Sequence, residues 1–306
     1  MRRVVTICLI LLLVACENEQ LKKDPLVFFV LGDWGRRGSP SQKVVAFQLN
    51  EWVKKMHPKF ILATGDNFYE EGVVDVNDSH WKQSFEEVYS EEPLSSIPWY
   101  VALGNHDYFG NGNVQAQIDY TQVSSRWNMP ARYFSIVEDL PVGTARFIFI
   151  DSSPFENSYY GNPGLREKLI ASDSAKQKKW LDSLTILNDV EWKIVIGHHH
   201  IYTGGARKND PNSVRAALEP IFQKNAIDLY LCGHEHDLQH LKHPGKPTNY
   251  FLSGTGSEIR PTGTIPESLF SASILGFMTF TLTDKHLDVK VIDYNGNVIY
   301  STAIDK

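Results

Sequence analysis

Six side chains of types that bind metal ions occur at or just after glycines in five places along the chain. They are Asp33, Asp66, Asn105, His198, His234 and His236. A single Gly-Asp pair usually marks only a turn, but five glycine-led groups of carboxylate, amide and imidazole donors indicate a metal site. Because a tetrahedral zinc site needs four ligands, six donors suit two ions that share a ligand.

A pair of metal ions bound in this way favours hydrolysis of a phosphate ester. Two ions about 3.5–4 Å apart hold the attacking and leaving oxygens of an in-line displacement. Carboxylate, amide and imidazole donors favour iron, manganese or zinc, and the lack of cysteine donors argues against Cu(I) and iron–sulfur chemistry. His234 and His236 point the same way in an extended chain, so they can serve one centre or two neighbouring ions.

Each of these groups directly follows a short apolar run that predicts a buried β-strand. The runs occupy residues 27–31, 60–64, 99–103, 192–196 and 229–232. Apolar residues at helical spacing lie between several of them, at 45–56, 81–89, 180–187 and 214–222. Strands that alternate with helices predict an α/β fold, and four further strands beyond residue 249 predict mixed sheets. Since ligands bind beyond the carboxyl ends of such strands, the donors are expected to converge.

The first sixteen residues predict an export signal. Arg2 and Arg3 precede an apolar run that is too short for a membrane-spanning helix, which needs about 20 residues. Residues 13–16, Leu-Val-Ala-Cys, resemble the lipobox of bacterial lipoproteins, which implies acylation of Cys16; an ordinary cleaved signal is the alternative. We therefore expect a signal peptide at 1–15, a lipid-anchored tether at 16–25 and one domain at 26–306, in the bacterial cell envelope on its periplasmic or outer surface.

The composition is that of a soluble globular protein. The 306 residues are 42% hydrophobic and 22% charged, which excludes a disordered, fibrous or polytopic membrane protein. A net charge of −6 argues against a nucleic-acid partner. Three cysteines exclude a disulfide scaffold, and only Cys232 stays free once Cys8 leaves with the signal and Cys16 is acylated. We expect a monomer that contacts the membrane through its lipid anchor only.

Taken together, the five groups resemble the calcineurin-like metallophosphoesterases, and more narrowly the purple acid phosphatases of the small, tartrate-resistant type. Segments at 85–90, 98–101, 125–130 and 236–239 also resemble that family, and the resemblance extends from residue 26 to the end. It implies two mixed β-sheets packed face to face and flanked by helices, an α/β/β/α sandwich. It also implies an acid phosphatase that hydrolyses phosphomonoesters with a metal-bound hydroxide at a centre of Fe(III) plus Fe(II), Zn or Mn.

The resemblance implies roles for individual residues as well. One metal takes Asp33, Asp66, Tyr69 and His236, and the other takes Asp66, Asn105, His198 and His234. Tyr69 matches the ferric ligand whose phenolate gives the family its colour, although the sequence alone favours simple packing there. His106 matches the histidine that contacts the phosphoryl group and protonates the leaving alkoxide; the alternative is a structural histidine.

Four residues are weaker candidates for supporting the ligands or contacting substrate: Asn67, Asp107, His200 and Arg207. Asp107 can orient His106 as a carboxylate partner. In an extended chain His199 points away from the site and His200 points back toward it. Arg207 stands where tartrate-resistant relatives carry a further catalytic histidine; it can bind phosphate oxygens but cannot donate a proton.

Two other functions remain open at this point. A phosphodiesterase or nuclease of the same superfamily shares the metal core and differs in the walls of its pocket. A lipid-anchored binding protein without catalysis is the alternative from another class, and the intact set of ligands weighs against it.

Overall fold

The structure is a computed structural model that describes residues 24–306. Its strands within that range are β1 (Leu26–Leu31), β2 (Phe60–Ala63), β3 (Trp99–Val101), β4 (Trp127–Asn128), β5 (Phe134–Asp139), β6 (Thr144–Phe149), β7 (Trp192–Ile196), β8 (Leu229–Cys232), β9 (Leu238–Lys242), β10 (Asn249–Ser253), β11 (Ser268–Ala272), β12 (Gly276–Leu282), β13 (His286–Asp293) and β14 (Val298–Asp305). Its α-helices there are α1 (Pro40–Met56), α2 (Ser79–Trp81), α3 (Val114–Asp119), α4 (Pro163–Ile170), α5 (Ser174–Thr185) and α6 (Ser213–Lys224).

The strands form two mixed sheets of seven strands each, as the fold class predicted. One sheet has the order β14-β13-β12-β1-β2-β3-β4, and the other has the order β11-β9-β10-β8-β7-β6-β5. Parallel pairs join β1 through β4 in the first sheet and β6, β7, β8 and β10 in the second. Antiparallel strands complete both sheets, and those of the first include the C-terminal strands expected beyond residue 249.

The two sheets pack face to face through aromatic side chains. Phe28 of β1 meets Phe147 of β6 edge to face, with ring centroids 5.2 Å apart, and Phe251 of β10 meets Phe280 of β12 at 5.4 Å. All four rings are fully buried, and each such pair adds about 0.5–1.5 kcal/mol to the gain from area burial. Helices cover the outer faces, which completes the predicted sandwich.

Helix α1 shows how the sequence sets the outer layer. The Ser39 hydroxyl accepts a hydrogen bond from the Gln42 amide at the first turn, and Pro40 fits there because that turn needs no amide donor. The helix ends at His57, whose φ of 48° is left-handed. Val45 and Leu49 lie on its buried face, as their spacing predicted.

The chain turns sharply as it leaves three of the predicted strands. Asp33, Asp66 and His234 have φ values of 57°, 51° and 69°, in the left-handed region that few residues other than glycine adopt. Gly104 is required for a different reason, because a Cβ there would lie 2.2 Å from the carboxylate of Asp66. The glycine-led groups are therefore positions where neighbouring loops approach one another closely.

Several local features differ from the sequence prediction. The helix expected at 81–89 is only the short α2 followed by a π-helical turn at Lys82–Glu86. The helix expected at 180–187 ends at Thr185, which leaves Leu187 44% exposed. Strand β6 was not predicted, although it is an interior strand between β7 and β5 and leads directly to Asp151.

The predicted leader and tether lie almost wholly outside the described residues, and so does Cys16. None of the helices within residues 24–306 combines the length and apolar character that a membrane crossing requires. Cys232 is a buried free thiol in β8.

Candidate metal centre

The structure brings all seven predicted ligands together where the parallel strands of both sheets end. None of these side chains is more than 8% exposed: Asp33, Asp66, Tyr69, Asn105, His198, His234 and His236. They come from loops that follow β1, β2, β3, β7 and β8, so each sheet contributes to the site. The expected convergence at the carboxyl ends of the strands is confirmed.

The first cluster surrounds the hydroxyl of Tyr69. That oxygen lies 2.9 Å from Asp33 Oδ1, 2.8 Å from Asp66 Oδ2 and 3.2 Å from His236 Nε2. Asp33, Asp66 and His236 also offer ligand atoms that all lie within 4.8 Å of one another. The four donors are those that the resemblance assigned to the first metal.

The second cluster surrounds Nε2 of His198. This nitrogen lies 3.2 Å from Asn105 Oδ1, 3.2 Å from His234 Nδ1 and 3.4 Å from Asp66 Oδ1. Asp66 therefore directs one carboxylate oxygen to each cluster. This is the arrangement that a bridging ligand between two ions requires.

The spacing of the donor atoms fits two metal ions. Ligand atoms about 2.0–2.2 Å from one ion lie roughly 3 Å from each other, as they do in both clusters. The imidazoles are also oriented for coordination: His198 Nδ1 lies 2.9 Å from the Thr64 carbonyl and His236 Nδ1 lies 3.0 Å from a Glu258 carboxylate oxygen. The Thr64 carbonyl accepts the Nδ1 proton of His198 and leaves its Nε2 free to bind a metal, whereas the contact of His236 with Glu258 has the distance of an ion pair without hydrogen-bond geometry.

The charges of the site also favour cations. Burial raises the pKa of Tyr69, and the carboxylates of Asp33 and Asp66 raise it further, well above its usual range. The phenol therefore loses its proton only when a cation takes the proton's place. Burial opposes the charged form of Asp66, but His198 and His106 outweigh it and lower the pKa of that carboxyl group.

His106 lies beside the clusters without belonging to either. Its backbone amide donates a hydrogen bond to Asp66 Oδ1 at 2.8 Å, and its Nδ1 lies 2.7 Å from the Glu70 carbonyl. The ring packs between Tyr69 and Phe109, with centroids 4.3 Å and 4.8 Å away. Because a carbonyl only accepts, Nδ1 carries a proton and Nε2 is the nitrogen left for a substrate.

Asp107 does not orient His106, contrary to the prediction. Its carboxylate accepts hydrogen bonds from the backbone amides of Asn67 and Gly104 and from the Gln117 side chain. The side-chain amide of Asn67 donates to the same carboxylate at 3.2 Å. Asn67 and Asp107 therefore hold together the two loops that carry Asp66 and Asn105.

The predicted alternation at residues 198–200 is wrong for His199. Its ring packs against His234 with centroids 4.4 Å apart, and its nitrogens lie 2.8 Å from the hydroxyls of Ser152 and Tyr159. Strand alternation fails here because β7 has already ended at Ile196. His200 does face the site, and burial together with Arg207 lowers its pKa to about 3, so the imidazole is neutral.

A cavity of about 530 Å³ opens onto the second cluster, from which Asn105 and His234 line it. His106, His200 and Arg207 line it beside these two donors. The rest of its lining is Phe109, Glu156, Asn157, Ser158, Tyr159, His199, Asp210, Pro211, Asn212, Ser213 and Val214. The cavity can admit a small organic group attached to a phosphate at the clusters.

Two residues that contact the ligands were missed by the sequence analysis. The guanidinium of Arg36 lies 3.9 Å from the centre of the Tyr69 ring and pairs with Glu258, which in turn contacts His236. Nothing in the sequence indicated this pair, because the two partners are 222 residues apart. Glu235 lies between the predicted ligands His234 and His236 in the sequence, which assigned no role to it.

The fold and the two clusters define a metal-dependent phosphoesterase. The chain belongs to the calcineurin-like phosphoesterase family, whose model matches residues 26–238. Membership of this family, with purple acid phosphatases among the relatives, implies a binuclear metal centre.

Individual relatives extend over nearly the whole chain. Purple acid phosphatase 17 of Arabidopsis thaliana is 33% identical over 301 residues, which cover 94% of this chain and 87% of that protein. Tartrate-resistant acid phosphatase type 5 of Homo sapiens is 29% identical over 303 residues, which cover 92% of this chain and 91% of that protein. The prediction of a phosphatase enzyme is confirmed by these relatives and by the family.

Solved structures show the same fold. GAP50, the anchor in the inner membrane complex of Plasmodium, superposes with a TM-score of 0.78 at 27% identity, over 92% of this chain and 89% of that chain. Purple acid phosphatase PPD1 from seeds of Lupinus luteus superposes with a TM-score of 0.64 at 19% identity, over 92% of this chain and 54% of that chain. The predicted sandwich of two mixed sheets is confirmed.

Proposed function

We propose that this phosphatase is an acid phosphatase that hydrolyses small phosphomonoesters at a two-metal centre. The observation that carries the proposal is the pair of donor clusters that share Asp66, one through Oδ2 and the other through Oδ1. We further propose Fe(III) at the cluster that contains Tyr69 and Fe(II), Zn or Mn at the other. A phenolate supports this assignment because it is a hard anionic donor suited to a trivalent ion.

The chain's own residues position the reacting groups. When bound, the two ions would polarise the phosphoryl group and activate a water molecule for in-line attack. In its imidazolium form, His106 would donate the Nε2 proton to the leaving oxygen and keep the Nδ1 proton on the Glu70 carbonyl. Phe109 and Tyr159 give the cavity an apolar wall that suits the organic part of a small ester.

The shape and charge of the cavity favour monoesters over the phosphodiesterase or nuclease alternative. Glu156 and Asp210 line the cavity, and their carboxylates would repel the next phosphates of a nucleic-acid strand. One observation favours the non-catalytic alternative: GAP50 has the same fold and is the anchor in the inner membrane complex of Plasmodium. The chain itself keeps every donor of both clusters, which supports catalysis.

One set of measurements on the purified protein tests the proposal. We expect two metal ions per chain, a purple colour, and hydrolysis of an aryl phosphomonoester at a much higher rate than of the matching diester. Tyr69→Phe should lose the visible absorption band, because the phenolate that generates it is gone. Colourless, zinc-only protein would refute the iron assignment, and metal-loaded protein without hydrolysis would favour the binding-protein alternative.

We also propose the location and state that the leader predicts: export, cleavage after residue 15, and a monomer held at the bacterial cell envelope by acylated Cys16. In bacteria that make the full chain, we expect the protein in the membrane fraction, where its release requires detergent. Cys16→Ser should move it to the soluble fraction, whereas Cys8→Ser, a change within the signal, should leave it at the membrane. Membrane retention of Cys16→Ser would contradict the lipid anchor.

A further inference from the structure

The loop at residues 203–208 is fixed by hydrogen bonds along its backbone. The Gly204 amide donates to the Gln239 side chain at 2.8 Å, and the Gly263 amide donates to the Gly204 carbonyl at 2.9 Å. The Gly205 amide donates to the Thr203 hydroxyl at 2.8 Å. A Cβ at Gly204 would lie 2.5 Å from the Gly263 carbonyl, so the loop must pass this close to its neighbour. The backbone that carries Arg207 is therefore held in place.

A fully buried carboxylate, Glu235, lies beneath this loop. Its Oε1 accepts a hydrogen bond from Arg207 Nη1 at 3.1 Å, and its Oε2 accepts one from the Ala206 amide at 3.1 Å. A buried carboxylate is stable only with such partners, so the pair fixes the guanidinium as well as the loop. Because Glu235 lies between His234 and His236 in the sequence, it also ties Arg207 to the metal centre.

The guanidinium of Arg207 reaches the cavity with most of its donors free. The Arg207 side chain is 35% exposed and lines the cavity together with Asn105, His106 and His234. Within residues 24–306, Glu235 is the only hydrogen-bond partner of its five N–H groups. Glu156 and Asp210 line the same cavity, yet neither accepts a bond from it among the described contacts. Arg207 can therefore bind an anion without giving up its existing partner.

We propose that Arg207 binds a phosphoryl oxygen of the substrate and that Glu235 is the positioning residue that aims its guanidinium. The inference rests on the proposed phosphatase function. A guanidinium presents parallel N–H donors that match the oxygens of a phosphate, and it keeps its charge at any working pH. Arg207 holds the phosphoryl group before and during the reaction, so its loss should act mainly on binding and KM.

The test is calorimetric binding of inorganic phosphate to the metal-loaded protein, with steady-state rates on an aryl phosphomonoester beside it. Because hydrogen bonds between charged groups stabilise bound phosphate strongly, Arg207→Met should weaken phosphate binding about 10- to 100-fold. The same change should raise KM by a larger factor than it lowers kcat. Arg207→Lys should recover part of the affinity. Lys208→Met, which removes the neighbouring cation, should leave binding unchanged because Lys208 does not line this cavity.

Glu235 is tested through its coupling to Arg207. Glu235→Gln should weaken phosphate binding several-fold in protein that still holds two metal ions. The double variant that carries both Glu235→Gln and Arg207→Met should bind phosphate as tightly as the single variant Arg207→Met. Full additivity of the two changes, or unchanged phosphate affinity in Arg207→Met, would overturn the inference. So would a failure of the unmodified protein to bind phosphate. Phosphate binding without hydrolysis would refute the proposed function alone.

Discussion

Replacing Asp66 by asparagine is expected to remove both metal ions and, with them, the phosphatase activity. Asp66 Oδ2 lies 2.8 Å from the Tyr69 hydroxyl and Oδ1 lies 3.4 Å from His198 Nε2, so one side chain completes two clusters. An asparagine has one acceptor oxygen and no charge, and it cannot bridge two cations. The loss should exceed the roughly 10–100-fold that follows from removing a partner outside the coordination shell.

The measurement is the metal content of the purified variant, with hydrolysis of an aryl phosphate and thermal unfolding beside it. Asp151→Asn is the matched control, because Asp151 is also a buried carboxylate that follows an interior strand, β6. It accepts hydrogen bonds from Ser172 and Tyr108 and belongs to neither cluster. The control should lose stability but keep both metal ions. An Asp66→Asn protein that kept two ions and its activity would contradict the bridging role.

The central strands could be predicted because they are short, apolar and end in glycine. Strand β6 has the same apolar character, but it leads to Asp151 and Ser152 without a glycine, so the pattern that located the other five did not include it. The order of strands within the sheets could not be predicted from local signals. It depends on contacts such as that of Phe28 with Phe280, which are distant in sequence.

The donors of the site could be predicted because metal binding restricts residue type and because strand ends bring the donors together. The residues that support the donors are less restricted in type. Arg36 stacks on Tyr69, and Glu235 forms an ion pair with Arg207. Such contacts require a charged group at the correct position but no particular sequence pattern around it. His199 shows the limit of periodicity: alternation holds inside a strand, and the chain beyond Ile196 follows the loop instead.

Replacing His106 by asparagine is expected to slow hydrolysis of alkyl phosphates about 10²–10⁴-fold and to affect aryl phosphates much less. An alkoxide leaves only when it receives a proton, whereas a nitrophenolate leaves without one. The asparagine amide can keep the hydrogen bond that His106 Nδ1 makes to the Glu70 carbonyl at 2.7 Å, and it removes Nε2. The bond from the residue 106 amide to Asp66 is made by the backbone and survives the change.

Because that backbone contact remains, the variant separates proton donation from support of the metal centre. Metal content should stay at two ions per chain, and kcat for a series of esters should fall more steeply as the leaving group becomes more basic. Equal losses for alkyl and aryl esters would show that His106 binds the phosphoryl group without donating a proton. Unchanged rates for both would reduce it to a ring that packs between Tyr69 and Phe109. The slope against leaving-group basicity therefore distinguishes the three roles in one experiment.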